Sequence, residues 1–538
     1  MINVMTESNL VKRNIVIFGM GATGISVARY LSDIGADFSF ADSRRAPANL
    51  SKVKGLYPST NISVGEFTDE ILLDIDLIVV SPGISLSEPV LQTAHEKGIE
   101  IIGDLALFLT AASAPVVAIT GSNGKSTVTT LLGEMAKASG LKTGVGGNLG
   151  VPMLDLLDSD CQLYILELSS FQLELMSDSL GAVVCLLNIS PDHMDRYQSL
   201  ESYSAAKQNI YLGASVTVSN RQDSLTAPPH SDATRHITFG FDKPMDGHFG
   251  IDTISEIDYL YAGSDQLIST QDIAMKGRHN IVNALAALAL GSAIKLQNTL
   301  MLQTLRVFKG LPHRCESIAT IDDVLYIDDS KGTNVGATLA AIEGFGSQSK
   351  KNILLIAGGQ GKGQRFDDLR DAAGRFLKCG VLYGEDAHQI EKALNSVVSI
   401  YRAKSLDSAV VVAKQTAVAG DIVLLSPACA SFDLFSGFTT SSLAFLTLLA
   451  PATLSLLSLA VLLSFAAECG TVCAVGVHAG TGGDGHKGDL QRAGSARGAT
   501  SAGEVYRSLP ENSAKVGHMG RGGSTTGFYS IRPAAQSS

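Results

Sequence analysis

The clearest chemical signal in the sequence is a glycine-rich segment, AITGSNGKST, that follows an apolar run ending at Thr120. Backbone N–H groups in such a loop can surround phosphate oxygens, a lysine can neutralise phosphate charge and a hydroxyl can bind Mg²⁺. The residues that would do so are Gly121, Ser122, Asn123, Gly124, Lys125, Ser126 and Thr127. Ile119 stands where the commonest phosphate loop has its first glycine, so a glycine-rich turn with an exposed lysine is the alternative.

Three further residues downstream of this loop have side chains suited to metal binding or catalysis. Glu167 ends a second apolar strand, where its carboxylate can hold Mg²⁺ beside the loop. His193 follows in NISPDHMDRY, with Asp192, Asp195 and Arg196 nearby, and Lys207 lies in SAAKQNIY. Taken singly, each could be a buried structural residue, but their order behind a phosphate loop favours a functional role.

A second glycine motif, GxGxxG, is formed by Gly19, Gly21 and Gly24 between an apolar strand and a helix predicted from about Ile25. With Asp42 at the end of the next strand, it can bring a diphosphate to a helix N-terminus and a carboxylate to a sugar hydroxyl. A tight turn without a ligand is the alternative. The motif does not distinguish nicotinamide from another nucleotide.

Polar and cationic residues also follow the later apolar runs of the chain. They suit the recognition of a carboxylate and the stabilisation of a phosphoryl group, and solvated surface charge is the alternative. These residues are Arg314, Asp329, Lys331, Thr333, Lys362, Ser431 and Phe432.

Three series of alternating apolar strands and amphipathic helices position these residues, which predicts an α/β protein. The expected domains are 1–103, which is Rossmann-like, 104–310, a phosphate-loop ATPase with a mainly parallel sheet, and 311–438, with a dinucleotide fold. The remainder, 439–538, is an anomalous tail. It begins with an uncharged apolar stretch, 441–467, and continues as a glycine-rich segment.

Composition narrows the class of protein. The chain has 538 residues, 45% of them apolar and 17% charged, which favours a soluble globular protein of about three domains. A net charge of −11 argues against nucleic acid as a partner. Seven scattered cysteines without CxxC spacing indicate neither a disulfide framework nor a zinc site, so a cytoplasmic location is expected.

Seven segments together resemble the Mur ligase family over about residues 12–438. They are ITGSNGKSTVTTL, LELSSFQLE, DHMDRY, GRHNIVNALAALAL, GLPHRCE, DDSKGTNVGAT and SPACASFD. The resemblance implies a uridine-nucleotide domain, a central ATPase and a C-terminal domain that binds an amino acid. It also implies that the first glycine motif holds a UDP group rather than a dinucleotide.

The implied reaction joins D-glutamate to UDP-N-acetylmuramoyl-L-alanine, with ATP activating the carboxylate as an acyl phosphate, in peptidoglycan precursor synthesis. By this resemblance, Lys125 contacts the transferring phosphate, and Ser126 and Glu167 bind one Mg²⁺. His193 and a carbamylated Lys207 bind a second Mg²⁺, which makes Lys125, His193 and Lys207 the expected catalytic residues. A monomer is expected.

The resemblance also distributes the remaining residues among three ligands. Asn280, Arg314 and Asp329 would join the loop residues 121–127 in binding ATP. The UDP-substrate would contact Gly21, Thr23, Asp42, Arg44, Asn148 and His193. D-Glutamate would be held by Lys331, Thr333, Lys362, Ser431 and Phe432. The third domain lacks the DNPR motif expected of members that take diaminopimelate, which supports glutamate.

One segment departs from the family pattern. Past Phe438 the family continues with a charged helix containing an Arg-Gly pair, whereas TTSSLAFLTLLAP stands here, so the usual last helix is expected to be missing or replaced. A frameshift or a membrane-tethering extension would each explain the change, and membrane contact is expected only if 441–467 is genuine. Two other functions stay open, namely a related ligase such as a folylpolyglutamate synthetase and an inactive nucleotide-binding or membrane-associated scaffold.

Overall fold

The computed structural model describes residues 6–176, 179–180, 182–229, 233, 235–347, 349–430, 440, 442 and 444–446. They form three sheets with flanking helices, which confirms the predicted three-domain α/β class. The proposed domain limits stay predictions. Of the tail, only these few residues up to 446 are described, so most of the apolar stretch 441–467 lies outside. Within the described residues, no helix combines the length and apolar character needed to cross a membrane.

The regular elements follow one another along the chain in the order that the sequence pattern predicts. The strands are β1 Ile15–Phe18, β2 Phe38–Asp42, β3 Ile62–Val64, β4 Leu77–Val80, β5 Glu100–Ile102, β6 Val116–Thr120, β7 Thr143–Gly147, β8 Leu163–Glu167, β9 Val183–Leu186, β10 Val216–Asn220, β11 Arg235–Phe239, β12 Phe249–Ile254, β13 Ile257–Ala262, β14 Asp265–Ser269, β15 Glu316–Ile321, β16 Val324–Asp328, β17 Ile353–Gly358, β18 Leu377–Tyr383, β19 Ser399–Arg402 and β20 Ile422–Leu425. The α-helices are α1 Glu7–Leu10, α2 Ala22–Asp33, α3 Leu50–Leu56, α4 Pro89–Glu96, α5 Asp104–Ala111, α6 Lys125–Ala138, α7 Ser170–Glu174, α8 Leu200–Gln208, α9 Arg278–Ala293, α10 Asn298–Val307, α11 Val335–Phe345, α12 Arg370–Phe376, α13 Ala387–Leu394 and α14 Leu406–Thr416. Short 3₁₀ helices lie at Asp69–Leu72, Met153–Leu156, Asn209–Tyr211, Ser224–Thr226, Thr270–Asp272 and Asp367–Leu369.

The first sheet is parallel, with the order β3-β2-β1-β4-β5. All residues of β1 and β4 are buried, as expected for central strands covered on both faces. The strand order reverses between β1 and β4, and a crevice opens there at the carboxyl ends of the strands. Gly19, which follows β1, and Asp42, which ends β2, therefore lie at the ligand-binding edge of this sheet.

The second sheet has the order β14-β13-β12-β11-β10-β9-β6-β8-β7. Its part from β7 to β12 is parallel, and β12, β13 and β14 are antiparallel. The mainly parallel character is thus confirmed. Because β6 pairs with β8 and β9, the segment after β6 lies beside Glu167, the last residue of β8.

The third sheet has the order β15-β16-β20-β17-β18-β19, in which only β15 is antiparallel to its neighbour. Asp329 follows β16 and Ser426 follows β20, so both lie at the same edge of the sheet. This edge carries most of the third-domain residues predicted to bind ligands.

The start of α2 corrects one prediction. The helix begins at Ala22, three residues before Ile25, with Gly21 as its N-cap. The expected start was late because the glycine motif itself supplies the cap and the first turn. The N-terminus of α2 therefore lies within the motif, where its backbone N–H groups point toward the crevice.

The first two domains share a continuous apolar cluster. Leu105 and Phe108 of α5 are buried in it, and the Phe108 ring packs edge-on against Tyr164 of β8 at 5.0 Å. A separate cluster lies between α6, α9 and the second sheet. Most of α9 is apolar and buried around its whole circumference, as expected for a helix enclosed by other elements.

Candidate active site

The loop after β6 has the conformation that phosphate binding requires. Gly124 has a φ of 82°, the left-handed region that favours glycine, and α6 begins at the next residue, Lys125. A Cβ on Gly124 would lie 2.4 Å from Oδ1 of Asn283 on α9. The loop therefore needs glycine here both for its backbone angle and for its contact with α9.

Lys125 folds back over this loop. Its Nζ donates hydrogen bonds to the carbonyl oxygens of Gly121 and Ser122, at 2.7 and 3.0 Å. Burial lowers the pKa of Lys125, and the carboxylates of Glu167 and Asp192 partly offset that effect. Weak carbonyl partners around a desolvated ammonium leave a strong attraction for an incoming phosphate.

The segment after β9 braces the loop. Asn123 N–H donates to Oδ1 of Asn188 at 2.8 Å, and Asn188 Nδ2 donates to the Asn123 carbonyl at 2.9 Å. Ser122 Oγ donates to the Ser190 carbonyl and accepts from its N–H, both at 2.9 Å. These paired bonds hold the loop in one conformation without a bound nucleotide.

Two side chains of the third domain reach the phosphate loop of the second. Arg314 donates from Nη2 to Oγ of Ser126 at 2.8 Å. Asn334, the N-cap of α11, exchanges amide hydrogen bonds with Asn123 and donates to Asp192 at 3.1 Å. The predicted ATP residues of separate domains therefore meet at one junction.

A cavity of about 410 Å³ lies at this junction. The predicted ATP residues that line it are Asn123, Gly124, Thr127, Asn280, Arg314 and Asp329. Lys331, predicted to bind the amino acid, lines the same cavity. Burial lowers the pKa of Lys331 to about 8, and the nearby charge of Arg314 adds to this effect.

Asp329 is the buried acid of this cavity. Burial raises its pKa to about 7, although Ser426 donates to Oδ2 at 2.7 Å and the charge of Arg314 lies nearby. The N–H of Cys315 donates to Oδ1 at 3.2 Å. These bonds fix the direction of the Asp329 carboxyl group, as a residue that positions a ligand requires.

Glu167 has an oxygen available for a metal. Its side chain is buried, and Oε1 accepts a hydrogen bond from Asn148 Nδ2 at 2.7 Å. Its Oε2 has no hydrogen-bond partner among the described residues. A buried carboxylate oxygen without a partner is costly, and a cation would satisfy it.

Lys207 and His193 approach the same region from the other side. Lys207 is buried, with its Nζ 4.8 Å from the centre of the Tyr203 ring and 3.4 Å from Thr120 Oγ1. Desolvation, followed by the charge of Lys125, lowers the pKa of Lys207 well below its ordinary value. Burial also lowers the pKa of His193, whose Nε2 lies 3.7 Å from Asp192.

The crevice of the first domain is a separate cavity of about 560 Å³. The predicted UDP-substrate residues that line it are Gly21, Thr23, Asp42, Arg44 and Asn148. His193, the sixth residue of that prediction, does not line this cavity. Asn148 lines the cavity and also contacts Glu167, so it connects the crevice to the proposed metal site.

Asp42 is not free to bind a sugar hydroxyl in the way expected from a dinucleotide fold. The Arg44 guanidinium donates to both its oxygens, at 2.8 and 2.6 Å, and Met20 N–H donates to Oδ2 at 2.8 Å. Burial alone would raise the pKa of Asp42, but these bonds lower it overall. The paired group presents the guanidinium, which is over half exposed, to the cavity.

The predicted amino-acid residues are only partly brought together. Lys362 lies with Nζ 3.9 Å from Asp192, across the junction from its own domain. Thr333 follows Lys331 but does not line the cavity described above. Ser431 and Phe432 lie outside the described residues.

The sequence prediction missed three polar residues of the site. Asn188 and Asn334 contact the phosphate loop, and Gln172 lines the first-domain cavity. Asn334 had a sequence signal, because it precedes a helical segment and asparagine is a preferred N-cap. Asn188 and Gln172 carried no comparable signal.

Family models cover most of the chain. Residues 13–103 match the MurD-like N-terminal domain of Mur ligases, residues 119–291 the Mur ligase middle domain and residues 313–429 the Mur ligase glutamate ligase domain. A solved structure of MurC, UDP-N-acetylmuramate-alanine ligase of Thermotoga maritima, has a TM-score of 0.51 at 19% identity, covering 81% of this chain and 98% of that one. A MurF structure from Acinetobacter baumannii also has a TM-score of 0.51, at 18% identity, covering 82% and 93%.

Curated relatives named UDP-N-acetylmuramoylalanine–D-glutamate ligase are much more similar in sequence. The one from Marinobacter nauticus is 47% identical over 437 residues, 81% of this chain and 98% of the relative. The one from Legionella pneumophila (strain Paris) is 45% identical over 427 residues, 79% of this chain and 96% of the relative. The chain belongs to the Mur ligase family.

Proposed function

We propose that this chain joins D-glutamate to UDP-N-acetylmuramoyl-L-alanine at the expense of ATP, in peptidoglycan precursor synthesis. The observation that carries the proposal is the junction at which Lys125, Arg314 and Lys331 from two domains surround the phosphate loop. The names of the relatives, which match across all three domains, supply the two substrates. The related ADP complex of a Thermotoga maritima MurF is consistent with ATP as the third.

The reaction needs two group transfers. The γ-phosphoryl group of ATP passes to the alanyl carboxylate, so that ADP leaves and an acyl phosphate forms. The amine of D-glutamate then attacks the acyl carbon, and inorganic phosphate leaves as the amide forms. Because both partners of the first transfer are anions, cations such as Lys125 and Arg314 must reduce their repulsion.

The side chains present suit two Mg²⁺ ions. Ser126 and Glu167 would hold one, because Glu167 Oε2 is buried without a hydrogen-bond partner among the described residues. His193 and a carbamylated Lys207 would hold the other. The bound ions would supply charge neutralisation at the phosphate oxygens.

The environment of Lys207 supports carbamylation. Its lowered pKa favours the neutral amine, the form that can react with CO₂. The product would replace a buried cation by an anionic oxygen ligand, which a hard metal prefers. Lys207 forms no ion pair with any described residue, so it has no competing carboxylate partner.

The remaining assignments follow the cavities. The first-domain crevice would bind the UDP group through Gly21, Thr23, Asp42 and Arg44, with Asn148 near the sugar. D-Glutamate would lie between Lys331 and Lys362, with Thr333, Ser431 and Phe432 completing its site. A cytoplasmic location and a monomer stay predictions.

The decisive assay is ADP release with ATP, Mg²⁺ and UDP-N-acetylmuramoyl-L-alanine, comparing D-glutamate with L-glutamate, glycine and no amino acid. Release that depends on D-glutamate is expected. Release with a folate substrate and glutamate instead would favour the folylpolyglutamate alternative. Binding of both nucleotides without ADP release would favour the inactive scaffold.

A lysine variant tests the role of the phosphate loop. Lys125→Ala should lower turnover by about 10²–10³-fold, because the charge at the transferring phosphate is lost. Binding of the UDP-substrate should be unchanged. Lys137→Ala, at an exposed position near the other end of α6, is the matched control and should keep full activity. Near-normal turnover of Lys125→Ala would contradict the assignment.

A further inference from the structure

Arg196 of the DHMDRY segment connects the first-domain crevice to the catalytic region of the second domain. Its Nη1 donates to the Pro82 carbonyl at 2.9 Å, and Nη2 donates to the Ile84 carbonyl at 3.3 Å. Nη2 also donates to Glu174 Oε2 at 2.9 Å. The Arg196 side chain is only 16% exposed, so these charge-assisted bonds are largely shielded from water.

The carbonyl partners belong to a loop with a direct part in the crevice. Residues 81–84 follow β4 and line the first-domain cavity together with Gly21 and Arg44. This loop also limits the glycine motif, because a Cβ on Gly19 would lie 2.8 Å from Ser81 Oγ. Moving the loop would therefore change the shape of the proposed UDP site.

The other side of Arg196 faces the proposed catalytic residues. Its guanidinium carbon lies 3.9 Å from the centre of the Phe171 ring, and the same ring packs edge-on against His193 at 4.9 Å. Arg196 N–H also donates to the His193 carbonyl at 2.9 Å, which closes the turn in which His193 has a φ of 56°. One side chain thus fixes both the crevice loop and the turn that carries His193.

We propose that Arg196 is a positioning residue that sets the 81–84 loop relative to His193, so that a UDP-substrate bound in the crevice presents its carboxylate to the catalytic region. This inference rests on the proposed function and adds a residue to which the sequence analysis gave no role. The planar guanidinium is required, because it stacks on Phe171 while donating in three directions. A lysine ammonium keeps the charge but cannot reproduce that geometry.

The test compares Arg196→Lys with a matched arginine at the same domain boundary. Arg29 of α2 pairs with Asp155 of the second domain but donates to no carbonyl of the 81–84 loop. Dissociation constants for UDP-N-acetylmuramoyl-L-alanine are measured by calorimetry without ATP, and KM values for all three substrates by ADP release. Arg196→Lys should weaken UDP-substrate binding about tenfold. It should also lower kcat, and the KM for ATP should stay within about twofold of that of the unaltered chain. Arg29→Lys should change none of these values.

Three results would overturn the assignment. UDP-substrate binding and kcat of Arg196→Lys equal to those of the unaltered chain would show that Arg196 positions nothing. Equal losses in Arg29→Lys would show that any contact between the two domains has the same effect. If Arg196→Lys only lowers the melting temperature and leaves the dissociation constant and kcat intact, its role is structural. Failure of the unaltered chain to bind the UDP-substrate would instead overturn the proposed function, and this assignment with it.

Discussion

Lys207 is the residue whose environment differs most from what its ordinary chemistry needs. Burial and the charge of Lys125 both disfavour its ammonium form, although lysine is otherwise among the residues least often buried. A carbamate would resolve this conflict if a cation lay opposite. The unpartnered Oε2 of Glu167 and the neutral imidazole favoured at His193 are both consistent with cations at this site.

Lys207→Ala should therefore lose activity in a way that a small anion can repair. We expect turnover to fall by about 10²–10³-fold, since the proposed oxygen ligand is missing. Acetate or formate should restore part of it, and methylamine should not. The measurement is ADP release against the concentration of each added compound. Rescue by the amine, or full activity without any addition, would contradict a carbamate at this position.

Asp104, at the start of α5, predicts a pH dependence of stability. It is buried, and burial raises its pKa to about 6 although Gln172 donates to it at 3.1 Å. Between pH 3.8 and 6 the folded chain keeps a proton that the unfolded chain has lost, so stability falls as pH rises through this window. At neutral pH the ionised carboxyl costs about 3 kcal/mol.

Asp104→Asn should remove this cost while keeping a hydrogen-bond acceptor for Gln172. The variant should melt at a higher temperature than the unaltered chain at pH 7.5, and the two should nearly coincide at pH 4. Thermal unfolding of both proteins at the two pH values provides the check. A difference in melting temperature that is the same at both pH values would show that Asp104 does not titrate in this way.

The residues that could be predicted from the sequence share a local signal. Asp42 and Glu167 end apolar strands, and Lys125 follows a glycine-rich turn, so strand topology alone places them at ligand-binding edges. Asn188 and Arg196 act through contacts with segments tens of residues away. Such contacts leave no periodic pattern in the chain, so only the folded structure reveals them.

Among the elements, α11 connects helix capping to the active site. Asn334 accepts a hydrogen bond from the N–H of Ala337 at 2.8 Å through the same Oδ1 that meets Asn123 of the phosphate loop. Its Nδ2 donates to Asp192. The helix end and the domain junction therefore depend on one carboxamide.

Two substitutions at Asn334 separate these roles. Asn334→Ser retains a good N-cap but lacks the amide that reaches Asn123 and Asp192, whereas Asn334→Ala loses both. Both variants should raise the KM for ATP, and only the alanine variant should also lose about 1 kcal/mol of stability. ATP titrations and urea unfolding distinguish the outcomes. An unchanged KM in Asn334→Ser would show that the bridge does not support ATP binding.

Elements were predicted best where the strands are buried on both faces. β6, β8 and β17 are apolar throughout and were recognised as parallel strands. The antiparallel strands β12 to β14 were not anticipated, because their residues are partly exposed and polar and resemble connecting loops. The late predicted start of α2 has a similar origin, since Gly21 was assigned to a turn rather than to a helix cap.

At the scale of the whole molecule, the departure from the family pattern after Phe438 does not leave the third domain uncovered. The described residues 440, 442 and 444–446 are helical, and Phe445 is fully buried against Tyr326, Leu354 and Val423. Ser442 Oγ lies 2.7 Å from His313 Nδ1 and also donates to Asp328. The segment thus replaces the expected last helix at this face.

Phe445→Ala should therefore destabilise the third domain by about 3–5 kcal/mol, because it leaves a cavity in a closed apolar cluster. Val411→Ala, at a 47% exposed position on α14, is the control and should change stability by less than about 0.5 kcal/mol. A chain that ends at Phe438 should be at least as unstable as Phe445→Ala, since it loses Ser442 as well. Urea unfolding monitored alongside ADP release measures both effects. Stability equal to that of the unaltered chain in Phe445→Ala would show that the unusual segment does not pack on the third sheet, and the catalytic domains would then have to fold without it.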